Sequence, residues 1–269
     1  MNILDTIGNT PLMNIENIYF KMEMMNPSGS IKDRVAKAMM LEIYNNLKYK
    51  AIKPHIVEAS SGNTGVSVAM VCASLGLQGL IYVPKNTSIV KIKLMKSYGA
   101  KVYNKCKDIA DCISRAEETG RLQNFEYLEQ FHNQKNIDAQ RNMAIEAFWQ
   151  LKTKNMPDAI VAGVGTGGTI MGLHDIFPHA EIVIVQPLGS DKIEGICDGV
   201  KLSLIPRELQ INVINVPKTS AIATAKWLAE KHGIHCGISS GANYYAATLI
   251  KNGYKTILTV LPDDGNRYL

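Results

Sequence analysis

Short apolar runs alternate with segments of helical period along almost the whole chain, and this alternation limits the possible folds most sharply. Strands are expected at Tyr19–Met24, His55–Glu58, Leu80–Val83, Lys101–Tyr103, up to Leu128, and at Ala159–Gly163, Glu181–Gln186, Ile211–Val216 and Thr256–Leu261. Helical spacing fills most of the intervals, and residues 1–12 read as turn-rich. Such an order predicts an α/β chain with mostly parallel sheets flanked by helices. Three strand-to-helix joints are rich in glycine or serine: 59–65, 163–169 and 237–241. In open α/β sheets that edge binds ligands, and helix N-termini with bare amides suit anions.

The stretch Asn26-Pro-Ser-Gly-Ser-Ile-Lys-Asp-Arg34 leads from turn formers into an amphipathic run carrying Val35, Ala36, Met39, Met40 and Ile43. Ser28 or Ser30 can cap the helix, which puts Lys32 in its first turn. The positive end of a helix disfavours an ammonium there, and a neutral lysine amine attacks carbonyls. The same residues also suit a capped surface helix with a solvated start.

Gly163-x-Gly165-x-x-Gly168 matches the dinucleotide fingerprint. That reading needs an acid at the end of the next strand, which instead ends Gln186-Pro187, and a longer helix than Pro178 allows. A phosphate cradle of backbone amides fits better, with Thr166 and Thr169 adding hydroxyls. Ser60, Ser61, Asn63 and Thr64 crowd hydrogen-bonding groups around Gly62, more than one helix cap requires, which suggests a small carboxylate is held there. Ser239 and Ser240 read equally as helix caps.

Other function classes are less well supported. The chain has 269 residues and a net charge of +5, with no run of five basic residues, so nucleic-acid binding has no basis. The five cysteines contain no C-x-x-C pair, which favours free thiols over disulfides or zinc, and no metal is expected. No stretch of 18 apolar residues and no leader pattern is evident, so no membrane contact and a cytoplasmic location are expected.

Seven motifs in order carry a resemblance. They are Gly8-Asn-Thr-Pro-Leu12, Asn26–Arg34, Ser61-Gly-Asn-Thr-Gly65, Gln130-Phe-x-Asn133, Gly165-Thr-Gly-Gly-Thr169, Gly237-Ile-Ser-Ser-Gly241 and Arg267-Tyr-Leu269. Together they resemble the cysteine synthase (O-acetylserine sulfhydrylase) family, fold-type-II enzymes that use pyridoxal 5'-phosphate. The resemblance implies a two-lobed fold like the tryptophan synthase β chain. Residues 1–34 and 137–269 would form the large cofactor-binding lobe, and 35–136 a small mobile lobe with the substrate-carboxylate loop. Lys32 would hold the cofactor and move the α-proton. Gly165, Thr166, Gly167, Gly168 and Thr169 would take its phosphate, and Asn63 its ring hydroxyl. Ser239, ahead of Ser240, would face the pyridine nitrogen. Ser60, Ser61, Gly62, Thr64 and Gln130 would grip the substrate carboxylate.

The implied reaction is cysteine synthesis from O-acetylserine and sulfide through an aminoacrylate. A homodimer and a serine acetyltransferase partner are implied as well. Asp198 stands where similar synthases carry a small residue. It is either a surface acid or a base for a lyase that releases hydrogen sulfide from cysteine, or for a lanthionine or cystathionine synthase. A catalytically dead binding protein is the remaining alternative.

Overall fold

The structure, a computed structural model, describes residues 2–47, 53–122, 125–151, 156–196, 204–206 and 208–268. In chain order the elements are β1 (Leu12–Ile15), β2 (Ile18–Met22), α1 (Lys32–Leu47), β3 (His55–Ala59), α2 (Asn63–Leu75), β4 (Gly79–Pro84), α3 (Ile89–Ser97), β5 (Lys101–Cys106), α4 (Ile109–Gly120), β6 (Phe125–Tyr127) and α5 (Lys135–Gln150). Then follow β7 (Ala159–Gly163), α6 (Gly168–Ile176), β8 (Glu181–Pro187), β9 (Asn212–Val216), α7 (Lys218–His232), α8 (Ile238–Ile250) and β10 (Ile257–Leu261). The chain divides into two compact units.

The first unit comprises Met1–Ile7, Asn26–Asn136 and Arg267–Leu269. Its sheet runs β5-β4-β3-β6, with every pairing parallel. Parallel strands covered on both faces read as apolar runs, and the last four residues of β3 are buried. In α2 the run Thr64–Cys72 is buried throughout, as an all-round apolar helix must be. That helix stops at Gly76, whose left-handed φ of 64° lets its amide close on Ala73 and Cys72. Asp108 caps α4, accepting from the Asp111 amide over 3.0 Å. Contacts group the Lys32 stretch with this unit, whereas the expected boundary placed 1–34 with the larger lobe. The physical reason is that Ser28 and Asp33 of that stretch bond to Ser67 of α2, at 3.3 and 2.6 Å.

The second unit comprises Gly8–Met25 and Ile137–Asn266. Its sheet runs β1-β2-β10-β7-β8-β9 and is parallel except for the β1–β2 edge. All five residues of β10, in the middle, are buried. Beneath it Phe20 meets Tyr244 edge-on, with ring centroids 5.9 Å apart. No helix among the described residues is long and apolar enough to cross a membrane.

Candidate active site

In the first unit, the turn before α1 is shaped by Gly29, whose φ of 84° is left-handed and whose amide donates to the Asn26 carbonyl over 2.7 Å. Ser30 Oγ accepts from the Lys32 amide over 3.3 Å, and the Asp33 amide donates to the Ser30 carbonyl. Lys32 is therefore the first residue of α1, half-buried, at the positive end of the helix dipole. Ser28 does other work. Its amide donates to Asp33 Oδ2 over 2.7 Å, and its hydroxyl donates to Oδ1. Ser67 also donates to Asp33 Oδ1, over 2.6 Å. Burial pushes the Asp33 carboxyl up, while Ser28, Ser67 and Arg267 oppose the rise.

The loop after β3 is partly tied down by its own side chains. Ser60 Oγ accepts from the amides of Gly62 and Gly65 over 3.0 and 2.9 Å. Thr64 donates to Gln130 Oε1 over 2.7 Å, and Gln130 Nε2 donates to the Ala59 carbonyl over 2.7 Å. Gln130 thus spans the loop as a strut. An Oγ that accepts twice keeps one O–H to donate, so Ser60 still has a donor for a ligand. Ser61 is half-buried, and Gly62 is buried ahead of α2. Asn63, the first residue of α2, accepts from Arg267 Nη1 at Oδ1 over 2.9 Å. Just before the loop, Glu58 is fully buried, and burial pushes its carboxyl up to about 8.

In the second unit, β7 runs into the glycine loop at the start of α6. Gly167 caps α6 with φ 93°, and a Cβ there would lie 2.8 Å from Ile205 Cγ1. A Cβ on Gly165 would lie 2.8 Å from the Gly195 carbonyl oxygen, and one on Gly163 would lie 2.5 Å from Ile196 Cδ1. Asn243 fixes the end of β7, accepting from the Gly163 amide over 2.7 Å and donating to the Val260 carbonyl. Thr166 is buried, its Oγ1 3.4 Å from the Gly168 amide, and Thr169 is half-buried. Side chains are thus excluded at Gly163, Gly165 and Gly167, while the amides of the first turn of α6 lie at its positive end. The glycines admit the 195–196 and 204–205 segments, and the amides at the positive end of α6 suit an anion such as a phosphate.

Ser239 lies in the first turn of α8 and donates to Asp263 Oδ1 over 3.3 Å. Ser240 is fully buried, and its Oγ has no hydrogen-bond partner among the described residues. Gly241 of the same motif serves packing, because a Cβ there would lie 2.1 Å from the Ala221 carbonyl oxygen of α7. Asp198 lies outside the described residues. The stretch that carries it, 197–203, has both flanks against the cradle. Gly195 and Ile196 face Gly165 and Gly163, and Leu204 and Ile205 face Gly167.

Sequence reasoning overlooked Arg267, Asp33, Ser28, Ser67 and Glu58 as site-supporting groups. Three of them stand inside recognised motifs, which was the available signal. The buried thiols are poor nucleophiles, since burial pushes both Cys72 and Cys236 up to about 12.

The parallel sheets flanked by helices are those of fold-type-II pyridoxal-phosphate enzymes. The family model "Pyridoxal-phosphate dependent enzyme" matches residues 3–263. Cysteine synthase B of Campylobacter jejuni is 38% identical, over 99% of this chain and 96% of its own length. Two solved structures are similar. An O-acetylserine dependent cystathionine beta-synthase from Helicobacter pylori has a TM-score of 0.90 and 30% identity, with 100% of this chain and 97% of that chain covered. A hydrogen sulfide-producing enzyme from Fusobacterium nucleatum has a TM-score of 0.87 and 31% identity, covering 99% of each chain. The chain belongs to the cysteine synthase family of pyridoxal-phosphate enzymes. It acts on serine- or cysteine-type substrates, and its relatives support β-replacement.

Proposed function

We propose that this enzyme makes cysteine from O-acetylserine and sulfide. The observation that carries the reading is the glycine cradle at α6, in a chain whose Lys32 opens α1 within the Asn26–Arg34 turn. When bound, pyridoxal phosphate supplies an electron sink that lets the substrate lose its β-substituent.

The amides around Gly165–Thr169 bind the phosphate and fix the cofactor's position, and orientation lowers the barrier. Lys32 would hold the cofactor through its Nζ and would move the α-proton of the substrate. Asn63 would donate to the ring oxygen. Ser239 would face the ring nitrogen, its O–H turning from Asp263, and a hydroxyl would not keep that nitrogen protonated as a carboxylate would. The sink supplied would then be a tempered one, which suits loss of a β-group. Ser60, Ser61, Thr64 and the Gly62 backbone hold the substrate carboxylate. Gln130 acts with them by bracing the loop through Thr64 and Ala59.

A second reading is release of sulfide from cysteine, with Asp198 as a base. It is favoured by the anchoring of both flanks of 197–203 beside the cradle. Product analysis separates the two readings. The enzyme loaded with pyridoxal phosphate is given O-acetylserine with sulfide, and separately cysteine alone. Cysteine from the first mixture, with little sulfide from the second, is the expected result. Rapid sulfide release from cysteine, with slow synthesis, would favour the second reading.

A further inference from the structure

Arg267 is close to the end of the sequence, yet its guanidinium is almost fully buried in the first unit. Nη1 donates to Asn63 Oδ1 over 2.9 Å, and Nη2 donates to Ser28 Oγ over 3.4 Å. Ser28 in turn donates to Asp33, the residue after Lys32, and Asp33 is fully buried. Ser67, one turn along α2 from Asn63, also donates to Asp33. One connected set of side chains therefore joins the start of α1 to the start of α2.

The chemistry of the pairing sets a direction. A guanidinium has donors and no acceptor, so the end of the Asn63 amide that meets it must be the oxygen. The other end is then a donor. A phenolic or phenolate oxygen on a ligand needs a donor at that place. A rotated amide would present an oxygen to another oxygen.

We propose that Arg267 is a positioning residue for the reaction. It turns the Asn63 amide so that its nitrogen serves the cofactor's ring oxygen, and through Ser28 and Asp33 it ties that amide to the turn carrying Lys32. The inference rests on the roles given to Asn63 and Lys32 under Proposed function.

The test is a double-mutant cycle on cofactor affinity. Dissociation constants for pyridoxal phosphate are measured for the parent, Arg267→Met, Asn63→Ala and the double variant. Visible spectra are recorded, and ligand-free melting is followed alongside. Arg267→Met is expected to weaken binding about ten- to a hundredfold in the parent, the scale of one hydrogen bond to a charged group. In the Asn63→Ala background it is expected to change binding by no more than about twofold, the usual scatter of additive effects. Equal losses in both backgrounds would show a purely structural role and overturn the proposal. If Arg267→Met does not fold, Arg267→Lys takes its place in the cycle, with the same two outcomes.

Asn63→Asp keeps an acceptor for Arg267 but removes the donor. It is expected to melt like the parent and to bind the cofactor as weakly as Asn63→Ala. Parent-like binding by Asn63→Asp would overturn the proposal. Borohydride reduction of the loaded parent separates the two levels of inference. A parent with no pyridoxyl group on Lys32 overturns the site assignment and this proposal with it. A labelled parent with additive losses overturns this proposal alone.

Discussion

Replacing Gly167 by alanine tests the cradle with a magnitude that the geometry supplies. The residue has φ 93°, where an L side chain costs about 1–2 kcal/mol. The added Cβ would also lie 2.8 Å from Ile205 Cγ1 and 3.5 Å from Leu204 Cβ. Overpacking of this kind costs about 1–3 kcal/mol, and Ile205 can relieve part of it by moving. Together these give about 2–4 kcal/mol. Gly189→Ala is the control, since its φ is +60° and a Cβ there meets nothing within 4 Å. It should cost only the backbone strain of about 1–2 kcal/mol. At about 2–4 °C per kcal/mol for a chain near this size, Gly189→Ala should lower the melting temperature modestly and Gly167→Ala roughly twice as much. Pyridoxal phosphate titration then locates the difference. Where the ligand-free loop relaxes, binding must restore the strained conformation, and each 1.4 kcal/mol weakens affinity about tenfold. Gly189→Ala should bind the cofactor like the parent, and Gly167→Ala at least about tenfold more weakly. A Gly167→Ala protein with parental melting and affinity would show that the loop tolerates a side chain at this position. An equal loss of affinity in the control would refute the reasoning.

Further outcomes follow from individual side chains. The Glu58 carboxyl is raised from 4.5 to about 8, so between those values the folded chain holds a proton that the unfolded chain has lost. Stability should therefore fall as pH rises through that window, by up to about 1.4 kcal/mol per pH unit. Glu58→Gln should flatten the slope of melting temperature against pH, and an unchanged slope would contradict it. Gln130→Leu leaves the Thr64 hydroxyl and the Ala59 carbonyl without their partner. It should cost about 1–3 kcal/mol of stability and raise KM more than it lowers kcat, as steady-state kinetics would show. Asp198→Ala should reduce sulfide release from cysteine about 100-fold if the residue is a base. Unchanged release would remove the lyase reading, and synthesis from O-acetylserine should persist either way.

The sequence made the strand-helix order legible because fully buried parallel strands leave unbroken apolar runs such as Ile257–Leu261. Lys32 was placed at a helix start by the turn formers ahead of it, and the structure has it as the first residue of α1. The edge strand β1 was missed. It is four residues long and half exposed, and Gly8-Asn9-Thr10-Pro11 ahead of it reads as turn. Side-chain hydroxyls were less legible than backbone. Ser60 reads as a ligand donor, and its Oγ also accepts from the amides of its own loop, a second task that no local pattern encodes. Of the two caps expected, Ser28 or Ser30, it is Ser30 that accepts from the Lys32 amide, while Ser28 meets Asp33. The Arg267 contacts join residues separated by 204 and 239 positions, and no local spacing encodes such a pairing. The expected boundary after residue 34 separates Ser28 and Asp33 from Ser67, 39 and 34 positions away, for the same reason.

The central claim is that Lys32 is the residue that binds the cofactor's carbonyl. It is tested most directly by loading the protein with pyridoxal phosphate, reducing with borohydride, digesting and mapping peptide masses. The account predicts a reduced pyridoxyl phosphate group on the peptide containing Lys32, and its absence from a folded Lys32→Ala variant. A label on a different lysine, or a Lys32→Ala protein that retains the label and turnover, would contradict it.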